Sequence, residues 1–371
     1  MPGDHHWHEQ IGIHSMCGIV GLFTGCSALT YCPRRALTPT GTRTNGQDAP
    51  PKSGKTEEAG GPGEPSYTSP FSRWDERAAV RRSPRRVLDD SDSPTSRYFS
   101  PDLVPVARHR LVTGLRPELF DEILVQHLYR YLDFTAKLET VVVNRTVLGI
   151  ATGSVGIGLP EDMRFDAYKI YCDEAYHALF SVDLMRQVRE ATGIRPLLPE
   201  QPYFLRRLAE IQESLPPEER PLAELLFVTV SETLISASLA ELPADGTVLP
   251  AVRESIRDHS ADEGRHHAYF AMFLRYLWAS LDPAGRRAAA LLVPRLITAF
   301  LQPDRDAIRG ELLAYGLGRD DAEQVLAEVY DEETVATHTR ATAKRTLHYF
   351  TALDVLDDPR AKEEFHAYGL L

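Results

Sequence analysis

The stretch LLFVTVSETLISASLA, residues 225–240, is apolar around most of a helix circumference, yet it carries one ionisable side chain, Glu232. A helix of that kind has to be surrounded by protein. An ionised carboxylate inside it costs several kcal/mol unless a cation or a metal answers it. The chain must therefore build an interior that tolerates charge. Glu139 poses the same problem in the stripe Phe120, Leu124, Leu128, Tyr131, Thr135, Leu138, Val142, where the neighbouring positions read as core. Taken singly, each glutamate could be answered by a buried arginine.

The sequence around them reads as helices. Pro117, Pro160 and Pro283 stand where first helical turns should begin, and long segments of helical period follow each. The pattern predicts helices over 117–150, 160–192, 200–215, 218–242, 248–281, 284–301, 304–316, 319–330 and 332–355, with no alternating strand pattern to compete. The glycine-rich GIATGSVGIGLP lacks the GK[ST] of a phosphate loop and reads as a connection between helices.

Two of the long helices carry a repeated quintet, DEAYH at 173–177 and DEGRH at 262–266. At about 100° per residue, His259, Glu263 and His266 fall within roughly 60° of one another on one face. His267 is turned about 100° from His266 and is expected to be a neighbour or a surface residue rather than a member of that group. A third Glu-x-x-His pair, Glu363 and His366 in KEEFH, has no preceding aspartate and is the chance match against which the other two are judged.

Four helices thus offer a lone Glu139, the pair Glu174 and His177, a lone Glu232, and the pair Glu263 and His266. This is the ligand set of a two-metal carboxylate centre in a ferritin-like four-helix bundle. Carboxylate and imidazole suit iron or manganese, and Cys172 is turned about 200° from Glu174, out of reach of such a centre. Iron is preferred where oxygen chemistry follows. Metal-bound imidazoles usually donate their second N–H to a carboxylate, so Asp173 is expected to support His266, and Asp262 to support His177.

DEGRH matches the DExRH signature of bacterial multicomponent hydroxylases, and the whole pattern over roughly residues 100–350 resembles the p-aminobenzoate N-oxygenase family of natural-product pathways. That family adds a third histidine one turn before the second Glu of the pair, and His259 holds that place here. The resemblance implies seven ligands for two non-haem iron ions: Glu139, Glu174, His177, Glu232, His259, Glu263 and His266. It implies O2-dependent oxygenation of a primary amine, typically an arylamine, through hydroxylamine toward nitro, with Glu139, Glu232, His259 and Glu263 taking part in catalysis. Electrons would come from an external donor, because the chain has no flavin or nicotinamide motif. A C–H hydroxylase or desaturase is the alternative, and it usually lacks the seventh ligand. Non-catalytic iron binding is a third reading. Ribonucleotide reductase small subunits resemble the chain in ligands but place a tyrosine where Ser181 stands. Thr135, Val143, Val228, Ser236 and Phe270, one turn from the ligands, either line a substrate channel or fill the core.

Composition narrows the partners. A net charge of −12 argues against nucleic acid or an anionic membrane surface, and Arg81, Arg82, Arg85 and Arg86 read as a solvated linker. Four cysteines, three of them before residue 33, do not make a disulfide framework and fit a cytoplasmic protein. Residues 1–98 are rich in Gly and Pro, as in APPKSGKTEEAGGPGEPSYTSP, and read as a disordered extension ahead of a single domain at 99–371. Within the extension, MCGIVGLF resembles the opening of class II glutamine amidotransferases, but Cys17 is internal and no β-rich domain follows. FTGC is a poor match to a lipoprotein cleavage box. The helices after residue 283 are expected to pack on the bundle or to build a homodimer interface. All of this points to an all-α, ferritin-like four-helix bundle with additional helices.

Overall fold

The computed structural model describes residues 65–89, 96–238 and 244–371, apart from the side chains of 236–238. Cys17, MCGIVGLF, FTGC and the Ser236 side chain fall outside those residues. The described chain is helical, with no β-sheet among the described residues and one isolated bridge between Arg97 and Val248.

In chain order the helices are α1 (Trp74–Arg77), α2 (Ala79–Arg82), α3 (Arg110–Thr113), α4 (Pro117–Lys137), α5 (Asn144–Thr152), α6 (Glu161–Thr192), α7 (Tyr203–Glu213), α8 (Arg220–Ser238), α9 (Pro250–Ser280), α10 (Pro283–Leu301), α11 (Arg305–Ala314), α12 (Arg319–Val329), α13 (Glu332–Thr351) and α14 (Pro359–Ala367). Their ends follow local chemistry. Pro117, Pro250 and Pro283 open α4, α9 and α10, where a missing N–H costs nothing. Asp282, Asp304 and Asp331 cap α10, α11 and α13 by accepting a backbone N–H. Gly193, at φ 70°, closes α6 in a left-handed conformation that a residue with a Cβ resists.

Four rods form the bundle: α4 continuing into α5, then α6, α8 and α9. The first rod packs along α6, α8 packs along α9, and α6 meets α9. The helix predicted over 117–150 is not continuous α. Residues Leu138–Val143 form a π turn between α4 and α5, and it carries Glu139. Such turns concentrate at functional sites. After residue 283, α10 and α13 pack on α8, and α14 packs on α10. The core is continuous, with Leu128, Leu132, Phe227, Val228, Phe270, Phe273, Leu296 and Ile297 all at or near zero exposure.

Among the described residues, packed structure extends to the N-terminal side of the boundary expected at residue 98. Residues 67–88 run as a strap against α6 and α9. Phe71, Ala78 and Ala79 are buried. Tyr67 donates its hydroxyl to Asp166 at 2.6 Å, and Leu88 N donates to Gln187 at 2.9 Å. Arg85 pairs with Asp183 at 2.8 Å and Arg86 with Asp258 at 2.8 Å, so this arginine cluster is not merely a solvated linker. Composition misleads here because the few anchoring side chains lie among residues typical of unstructured sequence.

Candidate metal centre

Nine ionisable side chains meet in the middle of the bundle at zero exposure: Glu139, Asp173, Glu174, His177, Glu232, His259, Asp262, Glu263 and His266. Seven of them form two groups whose ligand atoms lie within 4.8 Å of one another. One is Glu139, His177, His259 and Glu263; the other is Glu174, Glu232, Glu263 and His266. Glu263 belongs to both. Glu174 also spans them, with one oxygen 2.8 Å from His177 Nδ1 and the other 2.7 Å from His266 Nδ1. His259 Nε2 stands 3.2 Å from Glu263 and 3.7 Å from Glu139.

Each paired histidine turns Nδ1 inward and Nε2 outward. His177 Nε2 donates to Asp262 at 3.1 Å, and His266 Nε2 donates to Asp173 at 3.2 Å. Each aspartate therefore supports the imidazole of the facing helix. The strap completes both arms, which sequence reasoning missed. Trp74 Nε1 donates to both oxygens of Asp173 at 2.9 Å. The backbone N–H of Ala79 donates to Asp262 at 3.1 and 3.3 Å, and Arg265 pairs with the same carboxylate. Phe71 stacks on His266, with centroids 6.0 Å apart and planes at 24°. The visible signal was the apolar set Phe71, Trp74, Ala78 and Ala79 within a polar segment, too short to show a period.

Charge in this interior is poorly balanced by protein alone. Both oxygens of Glu139 and of Glu232, and Nδ1 of His259, are buried without a hydrogen-bond partner. Burial and the neighbouring carboxylates hold Glu139 and Glu232 well above the ordinary carboxylate range. Against the pull of burial, hydrogen bonds to Asp262 and Glu174 push His177 up to about 10. The same opposition, with His266 and His259 alongside, holds Glu263 well below its usual range. Orphaned carboxylate oxygens and imidazole nitrogens, converging in two groups with a shared glutamate, are what two cations of the iron or manganese type require. The donor set fits the group.

Other residues singled out by sequence stand apart. His267 is buried but turned away: its Nε2 accepts from Tyr349 at 2.7 Å, and Arg345 donates to that hydroxyl at 3.0 Å. Burial and Arg345 push this imidazole down to about 4. Glu363 and His366 are exposed on α14, and Cys172 is exposed on the outer face of α6. Thr135, Val143, Val228 and Phe270 are fully buried.

A surface pocket of about 220 Å³ approaches the centre from the strap side, lined by Arg85, Arg86, Tyr176, Leu179, Phe180, Asp183 and Ser255. Phe180 is among the lining residues, and its ring is 5.6 Å from that of His177 and 6.1 Å from that of His259. Ser255, one turn before His259, has a buried hydroxyl without a hydrogen-bond partner.

Comparison with known proteins identifies a family for the chain. Residues 76–354 match the family described as p-aminobenzoate N-oxygenase AurF. A curated relative, 4-aminobenzoate N-oxygenase of Streptomyces thioluteus, is 27% identical over 264 residues, covering 69% of this chain and 76% of its own. Three quarters of the chain thus fall within one family, and the protein belongs to the p-aminobenzoate N-oxygenase AurF family, as an enzyme of the di-iron N-oxygenase type.

Proposed function

We propose that the protein oxygenates the nitrogen of a primary amine, an arylamine in the first instance, toward hydroxylamine and nitro products. In this reading Glu139, His177, His259 and Glu263 hold one iron ion, and Glu174, Glu232, Glu263 and His266 hold the other, with Glu174 reaching both. The observation that carries it is the pair of buried groups joined at Glu263, with His259 adding the third imidazole. Iron bound there supplies the activation of O2, which no side chain of the protein can perform.

The chain's own residues do the rest. Asp173 and Asp262 accept hydrogen bonds from the Nε2–H of His266 and His177, which fixes the ring tautomer and leaves Nδ1 free to bind. Full burial keeps bulk water from the reacting atoms. The amine approaches through the pocket beside Phe180, where Ser255 offers a hydroxyl without a partner to a polar ring substituent. O2 is the co-substrate, and two electrons arrive from an external donor.

Iron quantitation together with mass spectrometry of products from a panel of aryl and alkyl amines tests the reading. Two irons per chain and N-oxygenated products are expected. Fewer than two metals in a fully loaded sample would overturn the dinuclear assignment, and products oxidised only at carbon would favour the hydroxylase.

A further inference from the structure

The His177 arm and the His266 arm end differently. Asp262 ends on a backbone amide and an arginine, whereas Asp173 ends on the indole of Trp74. Trp74 is partly exposed, so its ring joins solvent to the buried centre through two hydrogen bonds, 2.9 Å to Asp173 and 3.2 Å onward to His266. Electron tunnelling decays far less along such a bonded path than through packed side chains. The surface around the indole is also distinctive. Between residues 73 and 85 stand Arg73, Arg77, Arg81, Arg82 and Arg85, all exposed; Arg73 pairs with Glu76, Arg81 lies 3.8 Å from Asp75 and Arg85 pairs with Asp183, so Arg77 and Arg82 carry the excess positive charge of this face, in a chain whose net charge is −12. Arg81 lies over the indole face, 5.7 Å from its centroid.

We propose that Trp74 is the port through which electrons enter, and that the arginines of residues 73–85 dock an acidic one-electron donor protein of the iron–sulfur or flavodoxin class over it. The inference rests on the two-iron reading above. Two reduced donors each give up one electron, the two ferric ions become ferrous, and Trp74, Asp173 and His266 relay charge without net change. No atom is transferred. The positive patch concentrates the donor at the port, since opposite charge raises encounter rates and salt suppresses them.

The test uses the diferric full-length protein and reduced plant-type [2Fe–2S] ferredoxin, a small acidic donor, with loss of ferric absorbance followed by stopped flow. Ferredoxin binding to the metal-free chain is measured separately by calorimetry. We expect the second-order rate to fall steeply with salt. The double variant R77E/R82E should weaken ferredoxin binding at least tenfold, while the same reversal at the exposed Arg319 should not. Trp74→Phe should leave ferredoxin binding intact and, with the rate read per iron loaded, slow the saturated reduction step at least tenfold. An unchanged saturated rate in Trp74→Phe with full iron content overturns the port, and binding unaffected by R77E/R82E overturns the dock. Should Trp74→Phe lose iron, the arginine variants on the metal-free chain decide the docking face, and the saturated rate of a 7-azatryptophan chain, which keeps the N–H donor, decides the port by whether it departs from that of tryptophan. Iron content and the diferric spectrum of the unaltered protein report on the two-iron reading itself, so its failure is read separately.

Discussion

At the scale of single residues, the site shows how position on a helix separates look-alike histidines. His266 and His267 are adjacent and both buried, yet one faces four carboxylates and the other a tyrosine hydroxyl. His259→Ala removes one imidazole from the group that holds Glu139 and His177. Iron at that subsite is expected to weaken while the other stays occupied, so iron per chain under chelator competition should drop toward one. Asp262→Asn and Asp173→Asn leave the ligands in place but weaken their support, and each should cost about 10–100-fold in metal affinity, measured by the same competition. At the pocket, Phe180→Ala removes the lining ring that lies near both imidazoles. It is expected to broaden the range of amines accepted in the product assay while leaving iron content near native.

At the scale of elements, the long bundle helices were legible because each buries a stripe at helical period and starts or stops at Pro, Asp or Gly. The ligand glutamates stood out by the same logic, since Glu232 contradicts everything around it in α8. Two elements left no such mark. A π turn differs from α only in which carbonyl each N–H selects, so nothing in LETVVV announces it. The strap holds through one indole, one backbone amide and a few buried side chains on helices of four residues, too short for a period to emerge. It nevertheless closes both histidine arms. A chain shortened to 99–371 loses Phe71, Trp74 and Ala79 together, and its iron affinity is expected to fall at least as far as in the aspartate variants, whereas a chain starting at residue 65 should retain it. Iron per chain after dialysis against a weak chelator separates the two.

For the whole molecule, the centre is a concentration of negative charge enclosed by apolar helices, and the bundle alone does not neutralise it. Metal bound only in the folded state adds to stability by mass action. Exhaustive chelation is therefore expected to lower Tm, and reloading with ferrous or manganous ion to restore it, as followed by differential scanning calorimetry. The same enclosure sets the direction of the pH response. Imidazoles must lose protons and carboxylates must be ionised to bind metal. His177 is held up to about 10, and Glu139 and Glu232 well above their usual range, in the metal-free site. Loading near neutral pH should then release protons, and apparent affinity should rise with pH, which calorimetry in buffers of different ionisation enthalpy will register. The π turn carries a consequence for the lineage of such chains. A helix with one residue to spare can absorb the loss of a codon: deleting Thr140, exposed and inside the turn, restores α register and lets α5 keep its seat. The descendant would keep its bundle, with a Tm near that of the metal-free parent, but lose the offset that brings Glu139 to the centre. A single deletion would thus turn the enzyme into a scaffold.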